Sequence, residues 1–186
     1  MLAARTLEST VIRRSMRPVA RSRIERAAFG LLDASSLCAI STAAPRTTAH
    51  IHTAYFVWNR DFDIYWLSDP AARHSRNIRA RPSTAITVFD SHQVWGQPDR
   101  GIQLFGSTRQ LPAIEIAFAD SLYAARFPGY ATPDLRAYRF YRFRTERLKV
   151  FDEATLGAGV FVTAAIRNGQ RLVWERTDLS SGAEAN

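Results

Sequence analysis

Ser68, Arg73 and His74 are the residues whose types and spacing point most directly to chemistry. Ser68 closes the apolar run Ile64-Tyr65-Trp66-Leu67, and Asp69-Pro70 breaks that run sharply. Asp69 reads as an N-cap, and Pro70 falls at the first helical position, where proline is best tolerated. The helix that follows carries Arg73, His74, Arg76 and Arg79 within two turns. A strand thus delivers a hydroxyl, free backbone N–H groups and cations to one helix N-terminus. That combination suits an anion, and phosphate is the natural one. Taken alone, an arginine-rich helix is more often a solvated surface.

Other constellations carry less. His50 and His52 lie two apart on a strand and share a face, so with His74 or His92 they offer imidazoles to zinc or copper. No carboxylate or cysteine stands at recognisable ligand spacing, and no metal site is assigned on sequence grounds. Hydrolytic signatures such as GxSxG, HExxH and a P-loop are missing from the sequence. Asp69 and Asp90 read as a cap and a strand terminator, and no catalytic side chain is assigned. Cys38, the one cysteine, sits in an apolar strand and reads as a small buried hydrophobe. Tyr55, Phe56, Trp58, Trp66 and Trp95 offer flat apolar walls, which a planar cofactor and an ordinary barrel core need equally.

The elements that must position these residues follow from pattern. The 186 residues, 46% of them hydrophobic, suit one domain with a real core. Residues 1–21 read as a flexible basic arm, 22–178 as one domain and 179–186 as a disordered tail. Seven arginines against two glutamates fill residues 1–26, part of a formal net charge of +8. Such an arm fits nucleic acid, an anionic membrane or a targeting presequence, but the body lacks the aromatic–basic interleaving of a nucleic-acid module. We therefore expect neither a nucleic-acid nor a membrane partner. A single cysteine and no apolar run of spanning length fit a reducing, cytoplasmic setting.

Ser22-x-x-Glu25 reads as a capping box for a helix to Ala34. Strands are expected at 37–43, 48–58, from Ile64, and at 84–90, 101–111, 138–144, 148–151, 159–166 and 172–174. A helix begins after Pro112. Turns fall at 44–47 and 168–169, a loop at 128–134, and Gly106 inside its strand suggests a bulge. Strand after strand joined by short turns implies an antiparallel sheet that closes into a small barrel with flanking helices.

The ordered set LCAISTA, HIHTAYFVW, IYWLSDPAARHSRNIRARPSTAITVFD and RGIQLFGSTRQL, with weaker likeness in YRFYRFRTERLKVFD, resembles the pyridoxamine 5′-phosphate oxidase-like, FMN-binding split-barrel family. The resemblance runs from about Leu37 to Leu111. It implies a mainly β, antiparallel six-stranded split barrel, a homodimer with cofactor between subunits, and hydride transfer through N5 of FMN by an oxidoreductase of unassigned substrate. It also admits F420 or haem as cofactor, or binding without turnover. Carried over, the phosphate falls to Ser68, Arg73 and His74, and the preceding strand supplies His52, Thr53, Ala54 and Tyr55 to the flavin. His74 stands where the family usually has lysine, and His52 where the oxidase has a phosphate-binding arginine. The oxidase's Arg-Leu-His substrate clasp is Arg171-Leu172-Val173 here, so vitamin B6 is not implied as the substrate.

Overall fold

The computed structural model describes residues 12–15, 17–43, 48–130, 137–167 and 171–180. In chain order these form β1 (Ile12–Ser15), α1 (Arg21–Ala34), β2 (Leu37–Ala43), β3 (Ala49–Tyr55), β4 (Val57–Trp58), β5 (Asp63–Ser68), α2 (Arg73–Ala80), β6 (Ser83–Phe89), β7 (Arg100–Gln110), α3 (Ala113–Arg126), β8 (Arg139–Asp152), α4 (Glu153–Leu156), β9 (Val160–Arg167) and β10 (Arg171–Ser180).

All strand pairs are antiparallel, and the sheet runs β1-β10-β9-β8-β7-β6-β2-β3. β8 carries two partners on its second edge: its first half pairs with β5, its second half with β9. Six strands, β3-β2-β6-β7-β8-β5, therefore curl into a split barrel whose ladder stays open between β3 and β5. β9, β10 and β1 extend the sheet from one half of β8, and β4 adds to β5.

Alternation explains which side is filled. Cys38, Ile40 and Thr42 of β2 are buried, while Leu37, Ala39, Ser41 and Ala43 face out. Inside, α1 inserts Ile24, Ala27, Ala28, Leu31 and Leu32 among Ile40, Phe56, Ile64, Trp66, Ile86, Leu104, Phe143 and Leu148. A second cluster joins α3, through Ala119 and Tyr123, to Val57, Tyr65, Leu111 and Phe140. Gly106 makes the expected bulge: register shifts between Phe105 and Gly106, and a Cβ there would lie 2.0 Å from the Arg144 carbonyl oxygen.

Several boundaries move. Ile12–Ser15, expected in the flexible arm, pairs with β10 as an edge strand. α1 starts at Arg21 with no side-chain cap, because Glu25 pairs with Arg21 one turn earlier instead of reaching back to Ser22. The strand expected at 48–58 breaks at Phe56, whose ring is fully buried, into β3 and β4. The strands at 138–144 and 148–151 are one continuous β8, and β10 runs on to Ser180, into the expected tail. The turns at 44–47 and 168–169, most of the 128–134 loop and the end of the tail lie outside the described residues.

Candidate functional site

The open seam of the barrel is covered by the turn and helix that follow β5. Ser68, the last residue of β5, is buried. The turn after it is self-satisfied: the Asp69 carboxylate accepts the Ala71 N–H at 2.7 Å, and the Asp69 carbonyl accepts the Ala72 N–H and the Ser75 hydroxyl. Asp69 thus caps the turn rather than the helix. α2 begins three residues later than the Asp-Pro signal suggests, at Arg73, with Ala72 as an N-cap that offers no side-chain bond. Arg76 and Arg79 fold back and donate to the carbonyls of Ala71 and Pro70, so they brace the turn and do not reach an anion. Arg73 is exposed at the helix start and makes no hydrogen bond or ion pair among the described residues.

α2 is pinned over β2 and β3 by Asn77, whose amide donates to the Thr42 hydroxyl at 3.1 Å. Thr42 is the cross-strand partner of His50, and Ile40 of His52. His74, one turn before Asn77, therefore comes down on the two β3 histidines. Its ring stacks on His52, with centroids 3.7 Å apart and planes 12° from parallel. His50 lies 6.1 Å from His74 and 6.0 Å from His52 by ring centroid. One nitrogen of each of the three rings lies within 4.8 Å of the others. Ser68 Oγ and His74 Nε2 share a short hydrogen bond.

The surroundings depress the basicity of two of these rings. Burial, then the neighbouring His74 and His50, pushes His52 down to about 4. Burial and the charge of His50 also lower His74, against a smaller opposing effect of Asp69. Both His52 nitrogens and Nδ1 of His50 are buried without a hydrogen-bond partner among the described residues. Unpaired buried polar atoms are costly, so they mark a place where an added group would be welcome.

Of the residues singled out by sequence, the fold brings Ser68, His74 and His52 together, with Arg73 beside them. Ala54 points the same way as His52. Thr53 and Tyr55 face outward on the other side of β3, and Tyr55 is 61% exposed. His50, weighed in sequence only as a metal ligand, joins the cluster; its i, i+2 spacing from His52 carried that signal. His92 does not join it: it is exposed beside Asp90. Cys38 is buried and its thiol is pushed up to about 12, chiefly by burial, which leaves it inert as a nucleophile.

A phosphate-bearing cofactor fits this seam. The His52 imidazole can donate an N–H to a phosphate oxygen, α2 offers its first-turn N–H groups, and Arg73 is a cation with no hydrogen bond or ion pair among the described residues. A cavity of about 450 Å³ lies on the opposite, outward face of β2, β6 and β7, lined by Ser41, Ala43, Ala85, Phe105 and Arg147. Leu37, Ile51, Tyr55 and Phe89 are exposed on that same face.

The model of the family described as pyridoxamine 5′-phosphate oxidase matches residues 24–151. No curated protein matches the sequence. Among solved structures, a protein of unknown function from Agrobacterium tumefaciens is similar at TM-score 0.60 and 20% identity, covering 72% of this chain and 58% of its own. A heme binding protein from Mycobacterium smegmatis is similar at TM-score 0.63 and 14% identity, covering 81% and 60%. A FAD-binding protein from Mesorhizobium loti is similar at TM-score 0.54 and 15% identity, covering 74% and 95%. The chain thus spans about three fifths of the length of the first two, and likeness at these identities speaks to fold.

Proposed function

This chain belongs to the pyridoxamine 5′-phosphate oxidase family, and on that premise we propose that it binds FMN at the β5–α2 seam and works as an FMN-dependent oxidoreductase. The observation that carries the reading is the convergence of Ser68, His74 and His52 on one under-bonded spot at the start of α2, where Arg73 is the first helical residue. Arg73 would clamp the phosphate, the only one of the three α2-turn arginines left unused by the turn itself. Ser68 would donate its hydroxyl once His74 turns toward the anion. Ala54, Thr53 and Tyr55 would wall the ring, with Thr53 and Tyr55 acting across a subunit boundary, since they face away from the seam of their own chain. When bound, FMN supplies hydride transfer through its N5 atom, and the protein supplies position and electrostatics.

The companion reading is a protein that holds flavin, F420 or haem without turnover. It is favoured by the depressed basicity of His52 and His74, which disfavours the protonated form of either ring. The heme binding protein from Mycobacterium smegmatis and the FAD-binding protein from Mesorhizobium loti share the fold and keep both classes of cofactor in view.

A visible spectrum before and after adding FMN, followed by gel filtration, identifies the cofactor. Retained flavin bands support FMN, a Soret band supports haem, and a colourless protein that ignores FMN directs the search to F420; catalytic turnover of an electron donor by the flavin-loaded protein then separates the enzyme from the carrier. Arg73→Ala should weaken FMN binding by about 1.5–3 kcal/mol, the worth of a charge-assisted bond. Unchanged affinity in that variant would remove the phosphate site.

A further inference from the structure

We propose that His50, His52 and His74 form a binding site for one divalent transition-metal ion of the zinc or copper class. The proposal goes beyond the flavin reading and does not rest on it. Three observations carry it. One nitrogen from each ring lies within 4.8 Å of the other two, and the three residues come from two elements locked together by the Asn77–Thr42 bond. Nδ1 of His50 and both nitrogens of His52 are buried and without a hydrogen-bond partner among the described residues, so His52 carries a lone pair that no donor meets there. Ser68 Oγ holds Nε2 of His74, leaving Nδ1 for a ligand; an outer hydroxyl that fixes one ring nitrogen is how metal-binding histidines are oriented.

Metal–nitrogen bonds of about 2.0–2.1 Å place donors on a tetrahedral ion about 3.3 Å apart. The rings need close by no more than about 1.5 Å from their present spread, which rotation about side-chain bonds supplies. A shared ion would splay the His52–His74 stack. An all-imidazole set selects zinc, copper or nickel over calcium or magnesium, whose ligands are oxygens. Three protein ligands leave a fourth position for water or an anion. A phosphate reading accounts for ring N–H groups and not for the lone pairs, because the oxygens of a phosphate dianion accept hydrogen bonds from N–H and offer nothing to a nitrogen lone pair, whereas a metal ion takes one.

The test uses the full chain, stripped with a chelator and dialysed. It is titrated with Zn²⁺ against a chromophoric chelator, and separately with Co²⁺ while the visible spectrum is followed. We expect one equivalent bound, with the strong visible bands of four-coordinate cobalt. His50→Ala should lower Zn²⁺ affinity about tenfold or more while leaving FMN affinity unchanged. Arg73→Ala should do the reverse, so failure of the metal site and failure of the flavin site are read apart. His92→Ala, remote from the cluster, should change neither. His50→Gln, checked for a native melting transition, serves where His50→Ala unfolds. Absence of four-coordinate cobalt bands in the wild type, equal Zn²⁺ affinity in wild type and both His50 variants, or loss of binding on His92→Ala would each overturn the proposal.

Discussion

At the scale of single residues, His52 has the clearest pH signature. Its folded pKa, about 4, lies below the ordinary 6.5, so between those values the unfolded chain binds the extra proton. The stability it protects is complete above 6.5 and drains away as pH falls toward 4. The thermal midpoint should therefore fall over that window, and His52→Gln should flatten the fall; a variant with the wild-type slope would show that His52 is not the group responsible. Ser68, Arg73 and His74 were legible in the sequence because one turn of chain holds them, so local spacing suffices. The apposition of His74 to His50 and His52 was not. It depends on Asn77 reaching Thr42 across the seam, a contact between positions 35 apart. Arg76 and Arg79, which the sequence shows only as further cations on the helix, satisfy carbonyls nearer by.

At the scale of elements, β8 joins two halves of the sheet, and its contacts set the energetic stakes. Arg142 of β8 donates twice to Asp63 Oδ2 of β5, at 3.0 and 2.6 Å, and the Asp63 side chain is 5% exposed. Arg142→Ala would strand that carboxylate and should cost about 3–5 kcal/mol in urea unfolding. On the β7 edge of β8, Gly106→Ala must push a methyl into the Arg144 backbone carbonyl. It should cost about 1–3 kcal/mol, read by the same denaturation. Strand positions were legible because period-2 burial is written into segments such as Leu37–Ala43. Helix starts were not. Ser22 and Asp69 carry the right chemistry for caps, yet Glu25 is taken by Arg21 and Asp69 by the Ala71 N–H, so each helix begins without them. Neither competitor shows in a cap motif.

At the scale of the whole molecule, the outward face of β2, β3, β6 and β7 leaves Leu37, Ile51, Tyr55, Phe89 and Phe105 exposed on one side of the sheet. A second copy of the chain is the occupant that the flavin reading requires there. Light scattering should give twice the 20.9 kDa chain mass, and Ile51→Asp, at a side chain 67% exposed, should return it to one. A wild type that scatters as a single chain would sink this arrangement. Among the described residues, no helix is long and apolar enough to cross a membrane. The pairing of β5 with β8 has a further consequence, in the order of synthesis. β5 and the turn that ends in Arg73 leave the ribosome with only the two-residue β4 to pair with, because Asp63–Ser68 find their other partner in Arg139–Arg144. The seam is therefore assembled late, and a nascent chain halted inside α3 would carry every residue of the site and still lack the strand that seats it.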